Sequence, residues 1–150
     1  MILLGSYYIA SCVFTSKYPE LSKKIQQYVQ RKFEIPIVRC CIPQYKLTLF
    51  EKKMPGWYQK EWQSLADSAV FQAGDTVYSL CHNCSAIIEE TRPNVNVRSL
   101  WELILSDQSF VYPDFQRQSV LVQDCWRSKD RISEQNAVRE LLKKMNFEIK

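Results

Sequence analysis

The chain has 150 residues, of which 46 % are hydrophobic and 24 % are charged, as is typical of one globular domain with a buried core. Its net charge of +4 comes from isolated basic pairs with acidic residues nearby, so no basic stripe favours nucleic-acid binding. Three glycines are too few for a Gly-rich phosphate loop, and no apolar run approaches the roughly 18 residues that a membrane span needs.

Strand and helix patterns alternate in the first half of the chain. The apolar segment from Tyr7 to Phe14 predicts a first strand, and Ser22 is placed to cap the helix that follows. Helical spacing there predicts one face made of Leu21, Ile25, Tyr28, Val29 and Lys32 or Phe33. A second strand is predicted from Ile35 to Cys40, and an irregular segment from Pro43 to Tyr58. A second amphipathic helix is predicted from the spacing of Trp62, Leu65, Ala66, Ala69 and Val70.

The alternation continues in the second half. A third strand is predicted from Thr76 to Leu80, and a helix from His82 to Thr91. Shorter segments follow: a strand at Val95–Val97, a helix at Leu100–Leu105 and a strand at Ser119–Gln123. The last predicted helix has Ser133 as its cap and a buried stripe of Ala137, Val138, Leu141, Leu142 and Met145. This order predicts an α/β fold with a largely parallel sheet flanked by helices.

The six cysteines are spaced in a way that scattered core cysteines would not be. The first five follow the pattern C-x27-CC-x39-C-x2-C and are Cys12, Cys40, Cys41, Cys81 and Cys84. Each lies at or just after the end of a predicted strand, and ligands of parallel sheets bind beyond the carboxyl ends of strands. Thiolates from several strand ends can converge on one soft metal centre. The spacing therefore predicts a metal or redox site.

The N-terminal segment MILLGSYYIASC is apolar but does not read as a secretory signal. No Lys or Arg precedes the apolar stretch, as a secretory leader requires, and a buried first strand is the better interpretation. The sequence thus predicts a cytoplasmic protein, in which cysteines serve as ligands or redox groups more often than as structural disulfides.

A single Cys after one strand, a CC pair after a second and a C-x-x-C after a third resemble the CCG domain. This cysteine-rich repeat is found in the heterodisulfide reductase B subunit and related iron–sulfur oxidoreductases. By this resemblance, residues 1–150 form one CCG-like α/β domain. Residues 1–116 are one complete repeat, and residues 117–150, with the segment VLVQDCWRSKDR, are the start of a truncated second repeat in which Cys125 takes the place of the first cysteine.

The resemblance implies both a cofactor and a function. Five cysteines would hold a [4Fe-4S] cluster, of a non-cubane form in some family members; they are Cys12, Cys40, Cys41, Cys81 and Cys84. The domain would transfer electrons to a disulfide or related substrate. Its partner subunits would be iron–sulfur or flavin proteins, and self-association into a homo-oligomer is a further expectation. Two features depart from the family: Ile42-Pro43 stands where Gly is usual, and the second CC and C-x-x-C are absent.

The residues leave a structural zinc site open as an alternative. Cys81 and Cys84 lie three apart at the start of a predicted helix, so their sulfurs share one face beside the positive end of its dipole. This position suits either metal ligation or redox exchange. Zinc would use four of the five thiolates, with His82 as a further candidate ligand. His82 could instead donate a hydrogen bond to a cluster sulfur or simply face solvent.

Cys125 suggests a further alternative. Cys125 and Arg131 fit C-x5-R, which resembles the anion-binding loop of cysteine phosphatases and rhodanese-type sulfurtransferases. The loop between them lacks the glycines that such loops normally need, and this interpretation leaves the other five cysteines unexplained. Asp124 is predicted to cap the loop, and Trp126 is predicted to lie near the site.

Overall fold

The computed structural model describes residues 5–39 and 44–150, so Cys40 and Cys41 lie outside the described residues. The chain divides into two compact units, Met1–Val97 and Arg98–Lys150. Helices flank an all-parallel four-stranded sheet, which confirms the predicted α/β class. The assignment of residues 1–116 and 117–150 to a complete and a truncated CCG repeat stays a prediction.

The sheet is built from β1 (Ser6–Ala10), β2 (Ile37–Arg39), β3 (Thr76–Ser79) and β4 (Asn96–Ser99), in the order β2-β1-β3-β4. In β1, Ile9 pairs with Val38 of β2 and with Ser79 of β3. The central strand is apolar and fully buried at Tyr8, Ile9 and Ala10, as expected for a parallel strand covered on both faces. Because these strands are parallel and in register, their carboxyl ends meet at one edge of the sheet.

The helices of the first unit are α1 (Cys12–Lys17), α2 (Pro19–Phe33), α3 (Gln44–Glu51), α4 (Gly56–Ser64) and α5 (His82–Thr91). Pro19 opens α2, where its missing N–H costs nothing, and Glu34 ends the helix in the left-handed conformation with φ of 54°. The largest side chains that these helices bury include Trp62, Tyr58 and Phe33.

The predicted first strand from Tyr7 to Phe14 is wrong in its second half. β1 ends at Ala10, Ser11 has extended backbone angles, and α1 begins at Cys12. A continuous apolar run fits a buried strand and a buried helix equally well, so the pattern does not reveal the change. Cys12 is therefore the first residue of a helix, two residues after the strand.

The buried face of α2 also differs from the predicted one. Ser22 lies inside the helix and is buried, while Leu21 is 50 % exposed. The buried positions of α2 are Ser22, Gln26, Val29 and Phe33. Two of these are polar because hydrogen-bond partners from α1 and α4 meet them in the interior.

Between β2 and β3 the prediction is wrong in two places. The segment predicted to be irregular contains α3, and the predicted helix through Val70 stops at Ser64. Ala66 instead forms a parallel bridge with Val38, and its carbonyl accepts a hydrogen bond of 2.9 Å from the N–H of Arg39. Asp67 then caps a short 3-10 helix at Ser68–Val70. The edge strand β2 thus gains a hydrogen-bond partner from the extended segment at Ala66. This pairing outweighs the apolar spacing that predicted a helix there.

The second unit contains α6 (Leu100–Ser106), β5 (Ser119–Val120), a 3-10 helix (Trp126–Ser128), α7 (Ile132–Lys144) and β6 (Glu148–Ile149). A capping box joins Ser99 and Glu102 at the start of α6, and β5 pairs with β6 in parallel. Arg131, not the predicted Ser133, is the N-cap of α7. None of the helices in the two described ranges is long and apolar enough to cross a lipid bilayer.

Candidate thiol site at Cys81 and Cys84

The backbone of Cys81 is held tightly between β3 and α5. Cys81 is the N-cap residue of α5, with extended backbone angles. The Ser79 hydroxyl accepts a hydrogen bond from the Cys81 N–H and donates one to the Cys81 carbonyl, both at 3.1 Å. Ser85 donates to the same carbonyl through its N–H at 3.0 Å. The backbone of Cys81 is therefore held by the strand end and the first helical turn together, whereas these bonds leave its side chain free to rotate.

The two sulfurs of the C-x-x-C lie in contact. Cys84 lies one helical turn after Cys81, and its side chain hydrogen-bonds to the Cys81 thiol. Cys84 is 1 % exposed, whereas Cys81 is half-buried. The side chain of Cys81 forms no capping hydrogen bond with the helix, but the backbone N–H groups of Asn83 and Cys84 lie near enough to help lower the pKa of its thiol. Negative charge at a helix N-terminus is favourable, because the helix dipole is positive at that end.

Ser11 contributes a donor that the sequence analysis missed. Its hydroxyl hydrogen-bonds to the Cys81 thiol, and the residue is 2 % exposed. The register explains the contact: Ile9 pairs with Ser79, and Ser11 and Cys81 each follow their paired residue by two positions. The sequence shows that both residues follow the end of a strand. It does not show the register of the two strands, which is needed to place the residues side by side.

The hydrogen bonds lower the pKa of the Cys81 thiol from 9.0 to about 6. The side chain of Cys84 makes the largest contribution to this lowering of the pKa, and burial opposes it by raising the pKa. The N–H groups of Cys84 and Asn83 and the hydroxyl of Ser11 lower the pKa further. Each donor stabilises the thiolate more than the thiol, since only the thiolate carries a full charge. Cys81 is therefore mainly a thiolate at neutral pH, which is the form that ligates metals and attacks disulfides.

We expect the rate of Cys81 alkylation by iodoacetamide in metal-free protein to rise through a midpoint near pH 6, because only the thiolate reacts. Ser11→Ala removes one donor and should move this midpoint to higher pH, with a slower reaction at pH 6. The measurement is the rate of Cys81 carbamidomethylation between pH 4 and pH 9, followed by peptide mass spectrometry. Ser16→Ala, which removes an exposed hydroxyl bonded to Val13, serves as the control. A Cys81 midpoint at the ordinary value of about 8.5 would contradict the described hydrogen bonding.

Tyr8 provides a buried hydroxyl beside the thiols. The residue is fully buried, and within residues 5–39 and 44–150 its hydroxyl finds no hydrogen-bond partner. Burial, and next the neighbouring Cys84, raise the pKa of Tyr8 far above its ordinary value, and Cys81 adds to the effect. Tyr8 thus stays neutral, and its apolar ring helps to exclude water from this side of the sheet.

The structure places the other predicted ligands as follows. Cys12 is buried at the start of α1, next to Ser11 in the chain. Cys40 and Cys41 lie outside the described residues, so the convergence of five sulfurs on one pocket stays a prediction. Among the cysteine, histidine and acidic residues that the structure does describe, no group of three or more is arranged to hold a metal ion. His82 is the half-buried first residue of α5, and both roles suggested for it stay predictions.

Cys125 and Arg131 lie in the second unit. Cys125 is exposed and precedes the 3-10 helix. The Arg131 guanidinium lies 2.9 Å from the Glu134 carboxylate, and the side chains of the pair are 13 % and 2 % exposed. A buried carboxylate at this distance already balances the charge that an anion-binding arginine would offer. The ion pair weighs against the phosphatase or sulfurtransferase interpretation.

Asp124 forms an ion pair with Arg139, and its predicted role as a cap of the loop stays a prediction. Its two carboxylate oxygens accept hydrogen bonds of 2.9 and 2.7 Å from the Arg139 guanidinium on α7, and Cys125 is the N-cap of the 3-10 helix. A fork-shaped guanidinium matches both oxygens of a carboxylate, which makes this pairing more favourable than a single cap bond. Trp126 is 69 % exposed, with Arg127 and Lys129 over its ring. Its predicted proximity to the thiol site stays a prediction, because the two lie in different units.

Comparison of the chain with protein-family models, with curated proteins and with solved structures found no match in any of the three. Two features of the chain itself point to a function. One is the placement of Cys81 and Cys84 at the carboxyl edge of a parallel sheet, and the other is the spacing of the cysteines in the sequence.

Proposed function

We propose that this chain is a cytoplasmic iron–sulfur oxidoreductase domain that passes electrons to a disulfide or a related substrate. Cys81 and Cys84 would be two of the ligands of its [4Fe-4S] cluster, and Cys12, Cys40 and Cys41 would complete the set. The observation that carries this proposal is the position of Cys81 at the N-terminus of α5, beyond the end of β3, with the buried Cys84 one helical turn later.

The donor chemistry of the described residues fits such a cluster. Iron–sulfur clusters take cysteine thiolates as ligands, and hydrogen bonds to the sulfurs and limited solvent access tune their reduction potentials. The surroundings of Cys81, with the Cys84 side chain first, lower the pKa of its thiol to about 6, and Cys84 is almost fully buried. The described residues supply both the anionic sulfur and the surrounding donors that ligation requires.

Each part of the site has a separate task in this proposal. When bound, the cluster would supply one-electron transfer next to a substrate sulfur. Cys81 and Cys84 would hold it, the hydroxyl of Ser11 would stabilise negative charge on the Cys81 sulfur, and the ring of Tyr8 would keep water away. Ser79 and Ser85 fix the Cys81 backbone, so that binding requires little rearrangement of this segment.

The electrons would come from a partner subunit that carries an iron–sulfur centre or a flavin. The proposal involves neither nucleic acid nor insertion into a membrane. Self-association of the chain is compatible with this function, since the cluster domain can receive electrons from a partner subunit both as a monomer and as a homo-oligomer.

The test is the metal and sulfide content of the full chain after anaerobic purification and reconstitution with iron and sulfide. We expect about four irons and four acid-labile sulfides per chain, with broad absorption from thiolate-to-iron charge transfer. One zinc per chain without labile sulfide would instead favour a structural zinc module. Binding of neither metal would contradict both metal-based functions.

A further inference from the structure

We propose that, whenever no metal occupies the site, Cys81 and Cys84 act as a dithiol–disulfide pair that exchanges with low-molecular-weight disulfides. In this reaction Cys81 attacks the incoming disulfide, and Cys84 resolves the mixed disulfide. The inference goes beyond the proposed function, because the exchange needs no cluster and uses only the two described thiols.

The geometry of the first turn of α5 permits a direct bond between the two sulfurs. Residues three apart on a helix have Cβ atoms about 5–6 Å apart, and the Cys81 and Cys84 side chains are already in hydrogen-bond contact. A disulfide requires Cα atoms about 4.4–6.8 Å apart and Cβ atoms about 3.5–4.5 Å apart, so the regular helical Cβ spacing has to narrow through movement of Cys81. Because Cys81 has extended backbone angles as the N-cap, it can rotate toward Cys84 without disturbing the helix.

Exposure divides the two roles. Cys81 is half-buried, so a small disulfide can reach its sulfur, whereas Cys84 is 1 % exposed and cannot be reached first. Cys81 is therefore the thiol that a disulfide in solution meets first, and Cys84 is left to resolve the product. Because Cys84 is buried, it meets a disulfide bond only after Cys81 has formed a mixed disulfide next to it.

The reaction balances with a symmetric disulfide RSSR as the oxidant. The Cys81 thiolate attacks one sulfur, the S–S bond breaks, and RS⁻ leaves and takes up a proton from water. The Cys84 thiol then loses its proton to water and attacks the Cys81 sulfur of the mixed disulfide, which releases the second RS⁻, and this thiolate also takes up a proton from water. RSSR is thereby reduced to two RSH, and the dithiol is oxidised to the Cys81–Cys84 disulfide.

Cys125 provides the contrast within the same chain. It is exposed, but it lies in the second compact unit, and the nearest cysteine in the sequence is Cys84 in the first. Cys125 is the one cysteine in the sequence of the second unit, so we expect a disulfide reagent to leave it as a mixed disulfide. The two sites should give different products in one reaction.

The experiment uses the full reduced chain, freed of metal with EDTA and treated with glutathione disulfide at neutral pH without oxygen. We expect peptide mass spectrometry to find an internal Cys81–Cys84 disulfide, while Cys125 carries glutathione. Cys84→Ser should trap glutathione on Cys81. Cys81→Ser should lower modification of Cys84 by about tenfold or more, because the buried thiol loses its route to the oxidant.

Two results would overturn this inference. One is oxidation that links Cys81 or Cys84 to another cysteine in preference to each other, and the other is a Cys84→Ser variant without glutathione on Cys81. Neither result would alter the iron and sulfide content of a reconstituted sample. Conversely, exchange in a chain that never binds iron would refute the cluster and leave the dithiol pair as the active group.

Discussion

We expect Cys81→Ser to lower the affinity of the chain for iron by about tenfold or more, while Cys125→Ser leaves it unchanged. Removal of even an outer partner of a metal ligand typically costs about 10- to 100-fold in metal affinity, and Cys81 is proposed as a ligand itself. The hydroxyl of Ser would not replace it, because it does not ionise at neutral pH even where the helix N–H groups and Ser11 favour a negative charge.

The measurement is iron and acid-labile sulfide per chain after anaerobic reconstitution of the wild type and the two variants side by side. Cys125→Ser is a matched control, since it removes an exposed thiol that is the N-cap of a short helix in the other unit. Ser11→Ala should retain the iron but shift the charge-transfer absorption, because it removes only a hydrogen bond to the sulfur. Equal iron loss in the Cys81 and Cys125 variants would show that the cysteine spacing had been misread.

The fold class and the Cys81 segment could be predicted from the sequence because local and tertiary preferences agree there. The predicted strand at Thr76–Leu80 corresponds to β3 at Thr76–Ser79, and the predicted helix at His82–Thr91 is α5. β-Branched and aromatic residues favour the strand, and Pro93 bars continuation of the helix. The position of Cys81 at a strand end and helix start followed directly.

The rest of the site depended on register, which one sequence does not reveal. Ser11 reaches Cys81 because β1 and β3 pair Ile9 with Ser79. The break between β1 and α1 was hidden inside one apolar run, so the sequence predicted a single strand through Phe14. The metal ligand set, by contrast, stays a prediction from spacing and resemblance.

The buried face of α2 was mispredicted for a different reason. The hydrophobic pattern favoured Leu21 and Ile25, but the helix buries Ser22 and Gln26 instead. Polar residues can take core positions only where they find partners, and the partner of Gln26 is Tyr58, which lies 32 residues away on α4. A pattern within one helix cannot report such a distant hydrogen bond.

We expect Gln26→Leu to destabilise the chain by about 2–4 kcal/mol, although it places an apolar residue in the core. The Gln26 amide contacts the Tyr58 hydroxyl at 2.7 Å through Nε2 and donates to the Ser22 hydroxyl at 3.1 Å. Ser22 keeps a second contact of 2.8 Å with Thr15, but Tyr58 loses its described partner. The cost arises mainly from the buried Tyr58 hydroxyl that is left unsatisfied.

A double-mutant cycle with Tyr58→Phe tests this cause directly. In the Gln26→Leu background, Tyr58→Phe removes the orphaned hydroxyl and should recover about 1–2 kcal/mol, whereas in the wild type it should cost about 1 kcal/mol. Burial raises the pKa of Tyr58 to about 12, despite the opposing hydrogen bond from Gln26, so the hydroxyl stays neutral throughout a urea titration at pH 7.

Tyr8→Phe is the matched control, because it removes a buried tyrosine hydroxyl that has no partner within the described part of the chain. Its effect on the free energy of unfolding should be close to zero or slightly stabilising, since no hydrogen bond is lost and a desolvated polar group disappears. The measurement is urea denaturation of reduced, metal-free protein followed by circular dichroism. Equal destabilisation by Tyr8→Phe and Tyr58→Phe would mean that the Tyr8 hydroxyl has a partner of its own. The hydrogen bond between Gln26 and Tyr58 would then not explain a difference in the free energy of unfolding between the two variants.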